Sequence, residues 1–251
     1  MVQETSAASD LGISVLPFTE VELEGRMPGS DLIPHTNDEP WVRGVCKVIT
    51  KNLEGNVKML GTGFLFQVLN SHEGTVRGFL TCYHVATCDY VTRVEQNQIT
   101  LDFQLLKQNH VLSTIQKENY KPIFNKQSDF YFMALSDKFC DELINKYGVQ
   151  FISEAEPVNE ELIFAPQHPE GKELHNASAS VDSSWNVKRL QNWHNVSTEE
   201  GISGAPLLQQ HGDEMRVIGI NRGYHKREKV NLAITIDTIV QTIIANLQNV
   251  K

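Results

Sequence analysis

Cysteine is scarce in this sequence, since the 251 residues contain only Cys46, Cys82, Cys88 and Cys140. Four irregularly spaced cysteines are too few for the disulfide framework of a small secreted domain. Cys82 and Cys88 also lack the paired spacing and the histidine partners of a zinc site. We therefore expect reduced thiols and no metal site.

Long apolar runs and an excess of positive charge are also missing. No 18 consecutive apolar residues occur, and residues 1–30 lack a basic start followed by an apolar stretch, which predicts neither a membrane span nor a signal peptide. The formal net charge is -9, with the acidic residues spread along the chain, and this argues against a nucleic-acid surface. We expect a cytoplasmic protein that binds neither nucleic acid nor membrane.

The composition divides the chain into a lead-in and a folded part. Residues 1–38 are rich in Ser, Glu, Asp, Pro and Gly with weak periodicity, which predicts an extended or poorly ordered segment. Residues 39–251 have the alternation of a globular domain.

Short β-strands separated by turn residues dominate the folded part. The alternation of apolar and polar residues predicts strands at 42–50, 57–69, 76–83, 99–105, 130–135, 161–165, 177–181, 207–209, 215–220 and 231–235. Helical spacing of apolar residues predicts two helices, at 137–147 and 236–248. This order predicts an all-β fold of two packed antiparallel β-barrels, at 39–136 and 149–235, joined by the first helix and followed by the second.

The segment 199–208 (EEGISGAPLL) places Ser203 between glycines. Glycine lets the backbone approach closely, so the N–H groups of such a loop can point at one spot and the serine hydroxyl can lie beside it. This arrangement is typical of a nucleophilic serine, which also requires a general base and a group that orients the base.

The candidate base is His84, which follows the predicted strand 76–83. Two carboxylates could orient it: Asp102 in ITLDFQLL, and Asp129 at the start of the apolar strand FYFMAL. Asp102 follows His84 by only 18 residues, which leaves little chain for intervening strands, whereas Asp129 follows it by 45. We favour Asp129 and keep Asp102 as the alternative.

Seven motifs in register resemble a known family. They are GTGFLF, FLTCYHV, SDFYFMAL, QHPEGK, EEGISGAPLL, VIGI and LAITID, and they cover roughly residues 41–245. In this order they resemble the trypsin-like serine peptidases of the chymotrypsin fold (PA clan), closest to the intracellular and glutamyl-endopeptidase-like branch. The resemblance implies two six-stranded barrels and a serine endopeptidase with a peptide or protein substrate and no cofactor.

The resemblance also implies residue roles. His84 would be the general base, Asp129 its orienting group and Ser203 the nucleophile, with the N–H groups of Gly201 and Ser203 forming the oxyanion hole. Four further residues would border the substrate pocket, namely Ser197, Asn221, Arg222 and Gly223. An arginine beside a glycine is most often solvated, and we expect that of Arg222.

Some residues depart from the family pattern. Ile202 replaces a small or polar residue, Ala205 replaces glycine or serine, and Asn221 stands where glutamate-selective relatives have histidine. The family disulfide beside the histidine has no counterpart, because Val85 follows His84. A bulky Ile202 could tilt the oxyanion hole, so an inactive pseudopeptidase acting as a binding module is the alternative function.

Overall fold

The computed structural model describes residues 21–22, 33–34, 38–51, 55–70, 74–87, 98–111, 122–158, 161–180, 191–194, 201–225 and 230–248. Cys88 and the expected pocket residue Ser197 lie outside these residues. In chain order the strands are β1 (Val21–Glu22), β2 (Ile33–Pro34), β3 (Val45–Lys51), β4 (Val57–Asn70), β5 (Gly74–Cys82), β6 (Gln98–Phe103), β7 (Gln108–Val111), β8 (Ile123–Asn125), β9 (Phe130–Ala134), β10 (Leu162–Gln167), β11 (His175–Ser180), β12 (Gln191–His194), β13 (Pro206–His211), β14 (Glu214–His225) and β15 (Val230–Thr235).

The strands form two antiparallel sheets. The first has the order β7-β6-β3-β4-β5-β9-β8, and the second has the order β12-β15-β14-β13-β10-β11-β2, with β1 paired to β14. The described sheets contain seven and eight strands, more than the six per barrel that the resemblance implied. The excess consists of very short strands: β1 and β2 have two residues each, and β8 has three.

Large apolar side chains of the first sheet form a hydrophobic core that continues into the second sheet. Phe64, Phe66 and Phe132 are fully buried, and their rings meet edge to face at centroid distances of 6.0 and 6.4 Å. The same cluster reaches Leu208 and Ile234 of the second sheet. A smaller second cluster contains Ile163, Ala165, Ala177, Leu207, Ile218 and Ala233. The sheets are therefore packed against each other through one core.

Three α-helices among the described residues accompany the sheets: α1 (Tyr83–Thr87), α2 (Asp137–Tyr147) and α3 (Ile236–Gln248). The ends of α2 follow from its sequence, because the Ser136 hydroxyl accepts a hydrogen bond from the Phe139 N–H at 3.3 Å, and Gly148 closes the helix at φ +61°. The predicted ranges of α2 and α3 are confirmed. No helix among the described residues is long and apolar enough to cross a membrane.

The segment after α2 connects the two sheets. The Gln67 N–H donates to the Ile152 carbonyl, and the Ile152 N–H donates to the Leu65 carbonyl on β4. Next along the chain, the Ala155 N–H donates to the Val217 carbonyl on β14, and the Val217 N–H donates to the Ser153 carbonyl. The connector therefore adds backbone hydrogen bonds to both sheets and fixes one beside the other.

Two short pieces of the lead-in 1–38 pair with the second sheet. β1 pairs with the end of β14, and β2 pairs with the start of β11. Strands of two residues carry no periodicity, so their positions cannot be predicted from the sequence. The barrel boundaries 39–136 and 149–235 stay predictions.

Candidate active site

The register of β5 and β9 brings Asp129 beside His84. Cys82, the last residue of β5, pairs with Phe130, the first residue of β9. One step further along this antiparallel ladder, the Tyr83 N–H donates to the Asp129 carbonyl at 3.1 Å. Asp129 ends the turn between β8 and β9 at φ +60°, a left-handed conformation that aspartate adopts more readily than most residues. The adjacent residue of α1 is His84.

Both carboxylate oxygens of Asp129 contact His84. Oδ2 lies 2.8 Å from Nδ1 of the imidazole, and Oδ1 accepts the backbone N–H of His84 at 3.0 Å. The side chains are 1% and 0% exposed, so water does not compete for these contacts. A carboxylate can only accept, so Nδ1 carries the proton, and in the neutral ring Nε2 then keeps a lone pair. This is the tautomer that a general base requires.

The competing carboxylate has another partner. Asp102 on β6 pairs in register with Lys47 on β3, and their side chains form a 3.1 Å ion pair that is about one-quarter exposed. Because its charge is neutralised there, Asp102 is not available in this structure to orient His84. The geometry thus favours Asp129 over the alternative.

Arg222 is the largest fully buried side chain of the described residues, at 1% exposure. Its Nε lies 3.4 Å from Oδ2 of Asp129. The expectation of a solvated arginine was wrong, since the guanidinium is directed into the molecule, toward a buried carboxylate. A buried charge is tolerated only with a compensating partner, and Asp129 supplies one.

The loop of Ser203 is bonded to the same segment of β14. The N–H of Gly204 donates to the Asn221 carbonyl and the N–H of Asn221 donates to the Ala205 carbonyl, both at 2.8 Å. The Ser203 hydroxyl, 5% exposed, donates to the Arg222 carbonyl at 3.3 Å. Arg222 is therefore in contact with Ser203 through its carbonyl and with Asp129 through its side chain.

Thr62 on β4 contacts the serine loop at two points. Its N–H donates to the Ser203 carbonyl at 3.0 Å, and its hydroxyl donates to the Gly201 carbonyl at 3.2 Å. The same hydroxyl accepts the His168 N–H at 3.0 Å. These bonds hold the peptide groups before and after the Ile202–Ser203 peptide. The N–H of that central peptide belongs to Ser203 and is one of the two expected donors of the oxyanion hole.

Ile202 and Gly201 shape the loop in different ways. The Ile202 side chain is fully buried, so it is directed away from solvent. Gly201 has φ +87°, and a Cβ there would lie 3.1 Å from three backbone atoms of the 168–171 turn. The close turn therefore requires glycine at 201.

His168 belongs to that turn, and its role is structural. The imidazole is 1% exposed, with Nδ1 3.1 Å from the Lys172 carbonyl. Burial lowers the pKa of His168 to about 4, so the ring is neutral near pH 7.

Cys82 lies next to the His84–Asp129 pair. The potential ligand atoms of Cys82, His84 and Asp129 are all within 4.8 Å of one another. The Cys82 thiol donates to the Asn221 carbonyl at 3.2 Å, and burial raises its pKa well above the usual range. A protonated thiol that is already hydrogen-bonded is a packing group, and its reactivity as a nucleophile is low.

Two contributors to this arrangement were not identified from the sequence. Thr62 belongs to the motif GTGFLF, and its position between two glycines of a strand was the one signal in the sequence that could have indicated its role. The buried position of Arg222 had no signal, because it depends on the distant Asp129.

Comparison with known proteins identifies the architecture. No protein-family model matches the chain, and no curated protein matches its sequence. In structure it is similar to the serine protease domain of the Sesbania mosaic virus polyprotein (16% identity, 84% of this chain and 96% of that one, TM-score 0.52). The HtrA-type protease AlgW is also similar (15% identity, 82% and 61% coverage, TM-score 0.55), as is the protease Anisep from Arthrobacter nicotinovorans (13% identity, 82% and 98% coverage, TM-score 0.55).

The chain has the chymotrypsin-like fold. This confirms the predicted all-β architecture of two barrels with a connecting helix and a C-terminal helix. In the chymotrypsin-like fold of this chain, His84 and Asp129 come from the first sheet region, whereas Ser203 and Arg222 come from the second. The two sheets are joined here by the contact of Arg222 with Asp129 and by the hydrogen bond from the Thr62 N–H to the Ser203 carbonyl.

Proposed function

We propose that this protein is a serine endopeptidase that hydrolyses peptide bonds through an acyl-enzyme intermediate. Ser203 is the nucleophile, His84 the general base and acid, and Asp129 the group that orients His84. The N–H groups of Gly201 and Ser203 form the oxyanion hole. The observation that carries this proposal is the buried 2.8 Å contact between His84 Nδ1 and Asp129 Oδ2. Arg222 joins this pair to the Ser203 loop, because its side chain contacts Asp129 and its carbonyl accepts the Ser203 hydroxyl.

The proposed reaction uses groups of the chain alone. The Ser203 hydroxyl turns from the Arg222 carbonyl, attacks the substrate carbonyl carbon and gives its proton to Nε2 of His84. The two N–H groups stabilise the negative oxygen of the tetrahedral intermediate. His84 then protonates the leaving amine, and water attacks the acyl-enzyme by the reverse sequence. Asp129 holds the imidazole and the Arg222 guanidinium contacts Asp129, so neither side chain contacts the substrate.

The substrate pocket is proposed in less detail. Asn221 and Gly223 of β14 border it, together with Ser197 and the backbone of Arg222. The Arg222 guanidinium contacts Asp129, so it is not assigned to an acidic substrate side chain. A protein or peptide substrate, a cytoplasmic location and a place in the glutamyl-endopeptidase-like branch belong to the same proposal.

An inactive binding module is the second candidate. The observation in its favour is the hydrogen bond from the Ser203 hydroxyl to the Arg222 carbonyl, because a nucleophile must give its proton to the base instead. An active enzyme requires this bond to exchange, whereas a binding module does not.

Fluorophosphonate labelling separates the two candidates. The probe forms a covalent bond with a serine only when a base removes its proton, so we expect the wild-type chain to be labelled at Ser203. The matched control is Ser203→Ala, with its fold checked by circular dichroism. Absence of wild-type labelling, or equal labelling of Ser203→Ala, would refute the endopeptidase and leave the binding module.

Replacing Thr62 with valine tests the support of the oxyanion hole. Valine keeps the shape but removes the hydroxyl that binds the Gly201 carbonyl, so we expect kcat to fall about tenfold with little change in KM, equivalent to one hydrogen bond of about 1.4 kcal/mol. Steady-state kinetics on a peptide substrate measure both constants.

Two variants control for a general loss of structure. Thr62→Ser keeps the hydroxyl and should restore most of the rate. Thr235→Val removes a buried hydroxyl that is hydrogen-bonded to the Thr238 hydroxyl at 2.8 Å, and it should leave kcat unchanged. If Thr62→Ser loses as much activity as Thr62→Val, the hydroxyl is not what positions the loop.

A further inference from the structure

Strand β1 occupies part of an edge of β14 close to Ser203. Val21 pairs with His225 and Glu22 pairs with Tyr224, in antiparallel register. Tyr224 is two residues along β14 from Arg222, whose carbonyl accepts the Ser203 hydroxyl. At about 3.3 Å per residue, Glu22, the last residue of β1, lies about 7 Å along β14 from that contact.

The edge that β1 occupies is the one that carries Ser203. On one edge, β14 pairs with β15 from Gly219 to His225. On the opposite edge it pairs with β13 as far as Ile220, and the serine loop then bonds Asn221 and Arg222. Since β15 fills the first edge beside Tyr224 and His225, β1 lies on the opposite edge, in line with the serine loop.

The direction of β1 matches that of a peptide approaching the nucleophile. The pairing is antiparallel, so β1 runs from Val21 to Glu22 in the direction that leads from His225 back to Tyr224 on β14. Continuing in that direction along β14 leads to Arg222 and Ser203. An extended peptide paired to this edge would thus direct its carboxyl side toward the serine hydroxyl.

We propose that β1 is an internal competitor for extended peptides that dock on the β14 edge beside Ser203. This inference rests on the proposed function, since the edge then serves a peptide substrate. The recognition is main-chain pairing of an added strand, so an external peptide and β1 exclude each other. The inhibitory segment is part of the chain and needs no separate partner.

The competition is reversible, because a two-residue strand makes few hydrogen bonds. Attachment to the same chain compensates for this, since a short tether gives an effective concentration in the millimolar range. The apparent Kd of an external peptide then equals its Kd for the open edge divided by the fraction of molecules whose edge is open. For an edge that β1 occupies nine-tenths of the time, the apparent Kd is about tenfold higher.

Peptide binding to a chain with a disabled β1 tests the inference. Val21→Pro with Glu22→Pro removes the N–H groups that β1 could donate. Both the double variant and its parent carry Ser203→Ala, so that bound peptide is not cleaved. The probe is a fluorescein-labelled synthetic peptide with the sequence of residues 16–30, and fluorescence anisotropy gives its Kd. We expect Kd to fall about tenfold in the double-proline variant.

The control is Ala7→Pro with Ala8→Pro, which adds two prolines to the same lead-in outside β1 and should leave Kd at the parent value. A peptide with both proline substitutions should bind to none of the chains. Equal Kd for the double variant and its parent, or no binding to either, overturns the inference. A tenfold shift without fluorophosphonate labelling of the Ser203 chain would instead refute the peptidase and retain the competing strand.

Discussion

Asp129→Asn is expected to lower kcat about 10⁴-fold. An amide can donate to Nδ1 of His84, which would leave the proton on Nε2, where the base must accept the one from Ser203. The carboxylate contacts at 2.8 and 3.0 Å are both buried, so water cannot replace them. The measurement is steady-state kcat on a peptide substrate, normalised to the fraction of folded protein.

Normalisation matters because Asp129 also compensates the buried charge of Arg222. Asparagine leaves that charge without its ion pair, and breaking a buried pair costs about 3–5 kcal/mol of stability. A double variant, Asp129→Asn with Arg222→Met, removes both charges. It should regain stability without regaining kcat, which separates the effect on the fold from the effect on the histidine tautomer.

The matched control is Asp102→Asn. It breaks only the partly exposed pair with Lys47, which contributes at most about 1 kcal/mol to stability, and kcat should remain near the wild-type value. Equal losses of kcat in Asp102→Asn and Asp129→Asn would mean that Asp129 is not the orienting group.

Gly204→Ala is expected to destabilise the protein by about 2–5 kcal/mol and to abolish fluorophosphonate labelling. A Cβ at this position would lie 2.2 Å from the Thr62 carbonyl oxygen and 2.3 Å from the Thr81 hydroxyl oxygen. Gly204 also has φ +89°, which costs an L-residue about 1–2 kcal/mol. Overpacking of a tight site adds about 1–3 kcal/mol or more. Urea unfolding measures the total.

Gly212→Ala separates the two contributions. Gly212 has φ +63°, but no atom lies within 4 Å of the position its Cβ would take. This variant carries only the conformational cost, about 1–2 kcal/mol, and should be labelled like the wild type. If Gly204→Ala costs no more than Gly212→Ala, the serine loop is able to move away from β4, and its close contact with Thr62 is not needed for the fold.

The site depends on residues from both halves of the chain. His84 and Asp129 are brought together by the antiparallel register of β5 and β9, whereas Ser203 is held by Thr62 of the first sheet and by the backbone of β14 in the second. A change in the packing of the two sheets would therefore shift Ser203 relative to His84. The connector after α2, which bonds both sheets, limits such a shift.

The sequence by itself determined the elements and the types of reactive residue. Periodicity and capping residues are local, so they located α2, α3 and most of the strands, and the glycine-flanked Ser203 indicated a candidate nucleophile. It also ranked Asp129 above Asp102, because the number of residues after His84 limits which carboxylate can return to it.

Only the tertiary structure decided which side chains meet. The pairing of Lys47 with Asp102, the burial of Arg222 against Asp129 and the contacts of Thr62 with the serine loop join residues that are 55 or more positions apart. Such contacts depend on strand register and sheet packing, which local periodicity does not encode. For the same reason, the pairing of β1 with the edge of β14 that carries Ser203 became visible only in the fold.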